Sequence, residues 1–362
     1  MRTFRVALVG YGLGGSAFHA PFLATTPGME LAAVVTGNPE RQAAARDRHP
    51  TAEVLPSVAE LWRRAAEFDL AVITTPNREH APLARTALEH GLAVVVDKPF
   101  ATTSADARQL AELAAARGLL LSVFHNRRWD GDFRTVQRLL TEGRLGRVHR
   151  FESRFERWRP EVRAGWKESA DPADAGGILF DLGSHLIDQA VALFGRPSRV
   201  YAEVSTLRPG ALVDDDAFVA LHHPAPESAP GVSGGPDIVS HLWMSALAAD
   251  LGPRFRVLGD AGAFVKHGLD PQEAALRAGE TPGGPEWGTE PPEAWGRLGA
   301  GGDVELERTD AGAYQRYYAG VAEALATGAE PPVGAADGVT VLEVIEAAYR
   351  SAREGRVVPL PA

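Results

Sequence analysis

The stretch Phe4-Arg5-Val6-Ala7-Leu8-Val9-Gly10-Tyr11-Gly12-Leu13-Gly14-Gly15-Ser16 places Gly10, Gly12 and Gly15 directly after a short apolar run. The run has the length and composition of one buried parallel strand. In this G-x-G-x-x-G spacing the first glycine permits a tight turn, the second lets the backbone approach a phosphate, and the third lets the next helix lie close to the sheet. The stretch therefore predicts a seat for a dinucleotide pyrophosphate, with a helix N-terminus facing the anion.

Length and composition set bounds on the class of protein. The chain has 362 residues, of which 45% are hydrophobic, which suggests two domains with separate cores. Its net charge of −10 argues against a nucleic-acid partner, and the lack of cysteine excludes disulfides, thiol catalysis and thiolate metal sites. The first strand begins near residue 4 and no run of 18 apolar residues is present, so we expect a cytoplasmic protein without a signal peptide or membrane span.

Strand and helix patterns alternate along the first third of the chain. The predicted strands cover residues 4–9, 30–36, 69–75, 93–97 and 119–124, and the predicted helices cover 41–49, 78–89, 104–117 and a segment that Ser57 opens as a cap with Glu60 three residues later. Strands that are apolar throughout and separated by helices are typical of a parallel sheet covered on both faces. The fold class predicted for residues 1–123 is α/β, a doubly wound Rossmann domain.

The rest of the chain, residues 124–362, has a different pattern. Its predicted strands cover 148–155, 199–207, 217–222, 238–244, 255–258 and 263–266, and its predicted helices cover 314–327 and 338–354. Residues 224–236 and 279–302 are rich in Pro and Gly and are predicted to be loops. Alternating polarity favours an α+β domain with a large, mostly antiparallel open sheet. The last predicted helix could pack back on the first domain.

Two clusters of residues are candidates for chemistry. Asp97-Lys98-Pro99 follows a predicted strand, where ligands bind in open α/β sheets, although a solvated lysine is an equal explanation. Asp181 and His185 are four residues apart, with Asp188 three residues further on. On a helical turn an Asp beside a His orients the ring and raises its basicity, as a general base requires, but the same spacing is also common on helix surfaces.

The whole chain resembles the Gfo/Idh/MocA oxidoreductase family, and within it the branch that contains NADP-dependent scyllo-inositol dehydrogenases. The segments that carry the resemblance are GYGLGGSAFHAPFL at Gly10, TTPNREHAPLA at Thr74, VVVDKPF at Val94, SVFHNRRWDGDF at Ser122, GRVHRFESRFERWRP at Gly146, FDLGSHLIDQA at Phe180 and GLDPQEAALRAGE at Gly268. The resemblance implies a Rossmann domain, a C-terminal domain whose sheet often forms oligomers, and hydride transfer between a nicotinamide and a cyclic polyol or sugar. A homodimer or homotetramer through that sheet is expected.

Several positions match the family residue by residue. Asp97-Lys98-Pro99 matches the family's E-K-P, with the shorter acid leaving its contact to the nicotinamide ribose less certain, and Asp181 and His185 match its D-x-x-x-H pair. Pro76, Asn77 and His80 match a T-P-N-x-x-H segment that lines the cofactor. The full set of cofactor-binding candidates is Gly10, Tyr11, Gly12, Leu13, Gly15, Thr36, Asn38, Arg41, Thr75, Pro76, Asn77, His80, Asp97 and Lys98.

The end of the second strand bears on the choice of cofactor. NAD-preferring Rossmann sites place an acid there to hold the ribose 2′-hydroxyl, and that acid repels a 2′-phosphate. Here the sequence is Val34-Val35-Thr36-Gly37-Asn38, without an acid. Thr36 and Asn38 can donate hydrogen bonds to a phosphate and Arg41 can supply positive charge, so we expect NADP to be preferred, with NAD possible.

The resemblance and the charges together suggest a mechanism. An alcohol carbon releases hydride only as its hydroxyl loses a proton, so a base and a nearby cation are needed. His185 is the candidate base, Lys98 the candidate electrostatic partner or proton relay, and Asp181 the residue that orients them. The substrate-binding candidates are Lys98, Asn126, Arg127, Arg163, Asp181 and His185. Many polar groups suit a neutral polyhydroxylated ring, with scyllo-inositol and its ketone leading and aldoses or amino sugars as the runner-up.

Some residues and functions remain open at this stage. His19 is either a ligand contact or a packed or capping histidine. His125, Arg128, Trp129 and Trp166 are further candidates for ligand contacts, with a solvated or salt-bridged side chain as the alternative for the paired arginines. His222-His223 lacks partners at metal-binding spacing, so no metal is expected. Two other functions fit the motifs: a dinucleotide-binding protein without turnover, and a redox-neutral sugar-modifying enzyme that recycles its cofactor in place. Release of reduced cofactor on adding substrate would indicate a dehydrogenase, whereas neither alternative function releases it.

Overall fold

The computed structural model describes residues 2–163, 165–225 and 237–361. These residues form two compact units, each assembled from separate parts of the chain. The first unit comprises Met1–Asn126, Gln272–Trp287 and Ala313–Val339, and the second comprises Arg127–Pro271, Gly288–Gly312 and Thr340–Ala362. The predicted loop at 224–236 lies outside the described residues from position 226 onward.

The first unit is built on a six-stranded parallel sheet. Its strands are β1 (Phe4–Val9), β2 (Met29–Val35), β3 (Glu53–Leu55), β4 (Leu70–Ile73), β5 (Ala93–Asp97) and β6 (Leu121–Phe124), and the helices between them are α1 (Ala20–Thr25), α2 (Pro39–Arg48), α3 (Val58–Arg63), α4 (His80–Glu89) and α5 (Ser104–Arg117). The strand order is β3-β2-β1-β4-β5-β6 and all pairs are parallel. This order reverses direction between β1 and β4, which confirms the predicted Rossmann topology.

Local sequence signals explain most boundaries in this unit. The central strands are buried on both faces, as at Val6 and Val72, each fully buried. Helix α5 begins where Thr103 Oγ1 accepts the Asp106 N–H at 3.1 Å and ends at Gly118, whose φ is 62°. Helix α3 forms as predicted, but the side chain of Ser57 makes no capping hydrogen bond, so the capping part of that prediction is wrong.

The second unit is built on a nine-stranded mixed sheet. In chain order, the later elements are α6 (Gly131–Thr141), β7 (Val148–Glu156), α7 (Ser184–Phe194), β8 (Arg199–Ser205), β9 (Asp216–His223), β10 (Ile238–Ser245), β11 (Phe255–Gly259), β12 (Ala263–Lys266), α8 (Gln272–Ala278), β13 (Gly296–Ala300), β14 (Asp303–Glu307), α9 (Gln315–Thr327), α10 (Ala335–Glu354) and β15 (Val358–Pro359). The strand order is β14-β13-β12-β11-β7-β10-β9-β8-β15. Only the β7–β10 pair is parallel among the pairs described, which confirms the predicted, mostly antiparallel sheet. Helices α8 and α9 belong to the first unit.

One face of the nine-stranded sheet carries the core of the second unit. Leu242 and Met244 alternate along β10 with the half-buried His241 and Trp243, and the buried pair packs in a cluster with Leu186 of α7. This period-two alternation is what the sequence shows, and it is the reason why the strands were predictable.

The predicted loop over residues 279–302 is partly wrong, because Gly296–Ala300 forms strand β13 between β12 and β14. The glycines that suggested a loop have a packing role. A Cβ at Gly296 would lie 2.2 Å from the Phe264 ring, so the aromatic ring of β12 covers the bare backbone of its neighbour.

One segment of the described chain, Pro172–Phe194, is long and apolar enough to cross a membrane, although the sequence reading had found none. In the most apolar 18 residues of this segment, 67% is buried inside the protein, as in a core helix. By length and composition alone it is weak evidence for a span.

Candidate active site

The glycine loop after β1 has the close backbone contacts that its spacing predicts. Gly10 has a φ of 101°, and a Cβ at Gly15 would lie 2.2 Å from the Gly10 carbonyl oxygen. A Cβ at Gly12 would have only the Arg41 guanidinium, at 3.8 Å, within 4 Å. The backbone at Gly12 is therefore open, and a side chain there would fill the space.

Two buried hydroxyls of this loop and of the segment after β4 bear on ligand binding. The hydroxyls of Tyr11 and Thr75 are buried and have no hydrogen-bond partner among the residues that the structure describes. Buried polar atoms are normally satisfied, so such atoms beside an open glycine backbone fit a polar ligand. The loop and these hydroxyls thus fit a dinucleotide, which supplies a pyrophosphate and ribose hydroxyls. Leu13, 52% exposed, lies on the same loop.

The segment after β2 brings Thr36, Asn38 and Arg41 together. Asn38 Oδ1 accepts the Arg41 N–H at 3.0 Å and so caps α2, and the Asn38 N–H lies 3.4 Å from Thr36 Oγ1. Arg41 is exposed, makes no ion pair within the described chain, and lies beside Gly12. A guanidinium is therefore available next to the glycine loop.

The segment after β4 braces the glycine loop. Thr74 Oγ1 donates to the Gly10 carbonyl at 2.9 Å, a contact that sequence reasoning missed. Pro76 is exposed and Asn77 is buried at the start of a short 3-10 turn, Asn77–Glu79. His80 Nδ1 lies 2.8 Å from the Pro99 carbonyl and its Nε2 lies 2.9 Å from the Thr75 carbonyl, so this ring ties the end of β4 to the turn after β5.

Asp97 is the last residue of β5 and Lys98 comes directly after it. Asp97 lies beside the glycine loop. Asp97 Oδ1 accepts the Lys98 N–H at 2.8 Å, and a Cβ at Gly14 would lie 3.0 Å from Asp97 Oδ2. The Lys98–Pro99 peptide bond is cis. Lys98 is half-buried. Together with the segments after β1, β2 and β4, these residues place nearly all the cofactor-binding candidates at the carboxyl edge of one parallel sheet.

The residues after β6 divide between the two units. His125 and Asn126 are buried in the first unit, and Arg127 begins the second. The Arg127 guanidinium lies 4.6 Å from the centre of the Phe155 ring and 3.5 Å from Asp130. Because Arg128 forms a two-pronged ion pair with the buried Asp188, at 2.7 and 2.9 Å, both have a structural role, and Trp129 is half-buried in the same turn.

Asp181 and His185 lie on one continuous helical segment, in which a π-helical turn over Leu179–Gly183 leads directly into α7. Asp181 Oδ1 accepts a hydrogen bond from Lys167 Nζ at 2.6 Å. His185 is 7% exposed, and its ring centre lies 6.4 Å from that of Phe155. Phe155 therefore contacts two substrate-binding candidates, His185 and Arg127, of the same unit.

The start of that helical segment is held by Asp214, which sequence reasoning missed. Asp214 Oδ2 accepts the Leu179 N–H at 2.8 Å, and Tyr349 donates its hydroxyl to Oδ1 at 2.7 Å. Burial raises the pKa of Asp214, against the effect of these hydrogen bonds. No local motif announces Asp214, because it lies 35 positions from Leu179.

A cavity of about 320 Å³ in the second unit opens onto Asp181. Its charged lining residues are Arg157, Arg159, Arg163, Lys167, Glu168, Asp181, Arg208 and Asp214, and its apolar lining includes Trp166, Ile178 and Leu182. Arg208 is paired with Glu168 and Asp215, each at 2.9 Å. Arg159 and Arg163 are exposed and form no ion pair in the described chain. Of this lining, the sequence analysis names Arg163, Trp166 and Asp181, and the repeated arginines after β7 are a local signal for Arg157 and Arg159 only.

The paired histidines 222 and 223 are structural. His223 Nδ1 lies 2.7 Å from the Gly195 carbonyl, and its Nε2 lies 3.0 Å from Ser240 Oγ. Within the part of the chain that the structure describes, no group of three or more His, Cys, Asp or Glu side chains is placed to hold a metal ion.

The strand order and the glycine loop define a protein with a dinucleotide-type Rossmann unit and a second, α/β unit. Residues 4–125 match the family model for an oxidoreductase NAD-binding Rossmann fold, and residues 137–360 match the model for the C-terminal alpha/beta domain of the same family. The chain belongs to the Gfo/Idh/MocA oxidoreductase family, which confirms the resemblance inferred from its motifs.

Named relatives span the full chain. The uncharacterized oxidoreductase YdgJ of Escherichia coli is 42% identical, covering 97% of each chain. The scyllo-inositol 2-dehydrogenase (NADP(+)) IolW of Bacillus subtilis is 36% identical, covering 99% of this chain and 96% of IolW. The solved structure of yvaA from Bacillus subtilis superposes with a TM-score of 0.91 at 35% identity, covering 99% of both chains.

Proposed function

We propose that this protein is an NADP-dependent dehydrogenase that oxidises a hydroxyl carbon of a cyclic polyol or sugar, with scyllo-inositol as the leading substrate. The observation that carries the proposal is the shared carboxyl edge of the parallel sheet, where the open Gly12 backbone, Asp97 and Lys98 lie together. The full-length similarity to IolW, named for scyllo-inositol and NADP, supports the substrate and the cofactor. Residues 1–123 would hold the cofactor and 124–362 the substrate.

The preference for NADP rests on the segment after β2. Residues 34–38, which run from the end of β2 to Asn38, include no acid that would repel a 2′-phosphate, and the exposed Arg41 lies beside Gly12 without an ion-pair partner in the described residues. Thr36 and Asn38 would donate hydrogen bonds to the same phosphate.

The proton chemistry would be divided between the candidate residues. A bound nicotinamide supplies the acceptor or donor of hydride. His185 would take the proton from the substrate hydroxyl, Lys98 would stabilise the negative charge that develops on that oxygen, and Asp181 would orient them. The ion pair with Lys167 restrains the Asp181 carboxylate. In the reductive direction the same groups return the proton.

The charge of the cavity beside Asp181 favours a second class of substrate. Arg159 and Arg163 line it with guanidiniums that have no ion-pair partner among the described residues, and guanidiniums bind carboxylates well. Sugar acids therefore join the candidates, beside aldoses and amino sugars.

Turnover assays on the purified protein test the proposal. Inositols, aldoses, sugar acids and aliphatic alcohols are each supplied with NADP, and formation of NADPH is followed. Activity confined to aliphatic alcohols would contradict the polyol assignment, whereas activity on an aldose or a sugar acid alone would keep the mechanism and replace inositol. Product formed without net NADPH would indicate a redox-neutral enzyme with a recycled cofactor. Cofactor binding without any turnover would indicate a non-catalytic protein.

We further propose that copies of this chain associate through the nine-stranded sheet. The face of the nine-stranded sheet opposite the core carries a half-buried aromatic cluster, in which the ring of Phe218 lies 5.1 Å from Trp243 and 5.6 Å from His241. Arg154 lies 3.9 Å above the Trp243 ring. Aromatic residues and arginine are enriched in interfaces, so this cluster supports a homodimer or homotetramer formed through the sheet. We also propose that the enzyme works in the cytoplasm.

A further inference from the structure

A buried histidine that the proposed chemistry does not use lies between Tyr318 and Asp97. His19 is fully buried, and its Nδ1 lies 2.5 Å from the Tyr318 hydroxyl. Its Nε2 lies 3.7 Å from Asp97 Oδ2, and its ring centre is 4.0 Å from that of Phe124. All four residues belong to the first unit. Helix α9, which carries Tyr318, thus contributes to the site through His19.

The contact between His19 and the Tyr318 hydroxyl bears on which ring nitrogen of His19 carries the hydrogen. Burial, followed by the neighbouring Tyr317 and Asp97, raises the pKa of Tyr318 well above its usual value, so the phenol keeps its proton. When Tyr318 donates to Nδ1, the N–H of the His19 ring is on Nε2. That N–H faces Asp97. At 3.7 Å the contact is electrostatic, and Nε2 has no hydrogen-bond partner among the described residues.

The two oxygens of Asp97 are restrained from different directions. Oδ1 accepts the Lys98 N–H at 2.8 Å, while Oδ2 lies between His19 and the backbone of Gly14. Burial raises the pKa of Asp97, but His19, Lys98 and His80 outweigh burial and lower it overall, so the carboxylate stays charged. The buried His19 ring and the partly exposed, charged carboxylate therefore attract each other electrostatically across 3.7 Å.

We infer that His19 is a positioning residue, which holds the Asp97 carboxylate beside the glycine loop in the orientation that binds the cofactor. Asp97 has one methylene less than the glutamate of the family pattern, so its carboxylate reaches less far from the strand. His19 compensates by fixing Oδ2, with Tyr318 fixing His19. The inference rests on the proposed role of Asp97 in cofactor binding.

Two amide substitutions at His19 separate the contact with Asp97 from the contact with Tyr318. In His19→Gln the amide nitrogen takes the place of Nε2 and still reaches Asp97, whereas in His19→Asn it takes the place of Nδ1 and reaches only Tyr318. We expect His19→Asn to raise the dissociation constant of NADPH about tenfold or more, and His19→Gln to raise it less than about threefold, on the scale of one hydrogen bond to a charged group. The KM for NADP should rise more than kcat falls.

A double-mutant cycle with Asp97→Asn tests whether His19 acts through Asp97. We expect Asp97→Asn to weaken NADPH binding, and His19→Asn to add less than about twofold in that background. Equal effects of the two amide substitutions at His19, or an undiminished effect of His19→Asn when combined with Asp97→Asn, would overturn the inference while leaving the role of Asp97 intact. Unchanged NADPH affinity in Asp97→Asn alone would overturn both.

A further variant covers the case in which His19→Asn does not fold, as judged by thermal melting. Tyr318→Phe keeps the ring that packs against Phe124 and removes only the hydroxyl. We expect it to weaken NADPH binding severalfold in a protein that still folds, with a melting temperature lowered by no more than the loss of one buried hydrogen bond explains. Wild-type NADPH affinity in Tyr318→Phe would show that the His19 tautomer has no effect on the site.

Discussion

Asp214 occupies the space that a side chain at Gly177 would need, since a Cβ at Gly177 would lie 2.2 Å from Asp214 Oδ1. Gly177 also has a φ of 99°, which favours glycine. Directly after Gly177, the N–H groups of Ile178 and Leu179 donate to the carbonyl and the carboxylate of Asp214. This contact fixes the start of the helical segment that carries Asp181.

We expect Gly177→Ala to lower the free energy of unfolding by more than the roughly 1–3 kcal/mol that backbone strain alone costs, and to reduce turnover. Thermal or urea unfolding and kcat measure the two effects. Gly210→Ala is the matched control, because Gly210 has a similar φ of 79° and no atom within 4 Å of its built Cβ. Equal losses in the two variants would mean that Asp214 adds nothing to the constraint.

We expect Lys98→Met and His185→Ala to bind NADPH nearly as well as the wild type and to lose turnover by about a hundredfold or more, the scale of removing a positioned acid or base. NADPH affinity by fluorescence titration and kcat by steady-state assay separate binding from chemistry. His222→Ala, outside the candidate site, should keep wild-type turnover. Near-normal turnover in both test variants would show that neither residue takes part in the chemistry.

Arg41→Ala should lower kcat/KM for NADP by about ten- to a hundredfold, because a charged hydrogen bond to the 2′-phosphate is lost, and should change kcat/KM for NAD less than about threefold. Arg46→Ala is the control on the same helix, α2, in its last turn. A wild-type enzyme with the higher efficiency for NAD would contradict the cofactor assignment.

His223 should make stability depend on pH between about 4 and 6.5. Burial lowers the pKa of His223 to about 4, so the folded protein keeps the ring neutral while the unfolded chain takes up a proton below its ordinary pKa of 6.5. This contribution to stability, about 3 kcal/mol, is complete above pH 6.5 and is lost as the pH falls toward 4. Urea unfolding should show that about 2 kcal/mol more is lost between pH 7.5 and 5 in the wild type than in His223→Gln. His267 is exposed, so the stability of His267→Gln should depend on pH as that of the wild type does. Parallel pH profiles of stability for all three proteins would show that His223 is not the residue responsible.

Trp243→Glu should dissociate the assembly, because a charge in the aromatic cluster on the outer face of the sheet disfavours burial between subunits. Light scattering after size-exclusion chromatography gives the mass. Leu306→Glu, on the edge strand β14 and already 62% exposed, should leave the mass unchanged. A monomeric wild type would refute the proposed assembly.

The sequence predicted those elements whose signal is local. The apolar run before Gly10 and the alternating pattern of β10 each identify a strand without knowledge of its neighbours. By contrast, β3 has three residues, and the glycines of β13 look like loop residues until Phe264 is seen to cover Gly296. Such strands form because a neighbouring strand supplies their hydrogen bonds, and that partner is absent from the local sequence.

The same distinction applies to the candidate site. The glycine loop and the Asp181–His185 spacing are short motifs, and they could be located from the sequence. Thr74, Lys167, Asp214 and Tyr318 could not, because each acts on a residue far away in the chain: Tyr318 lies 299 positions from His19. The candidate residues could therefore be named from the sequence, whereas the residues that contact and position them could be named only from the structure.

The first unit depends on chain that is synthesised late. Ser122 of β6 contacts the Tyr317 hydroxyl at 2.7 Å and donates to the Val333 carbonyl at 2.8 Å, contacts that span 195 and 211 positions. Such long loops are slow to close, so contact order favours late completion of this sheet edge. During translation, more than half of the chain is synthesised between Phe124 of β6 and the end of α9, the helix that covers it. Until α9 has left the ribosome, the apolar edge at Phe124 is exposed to chaperones.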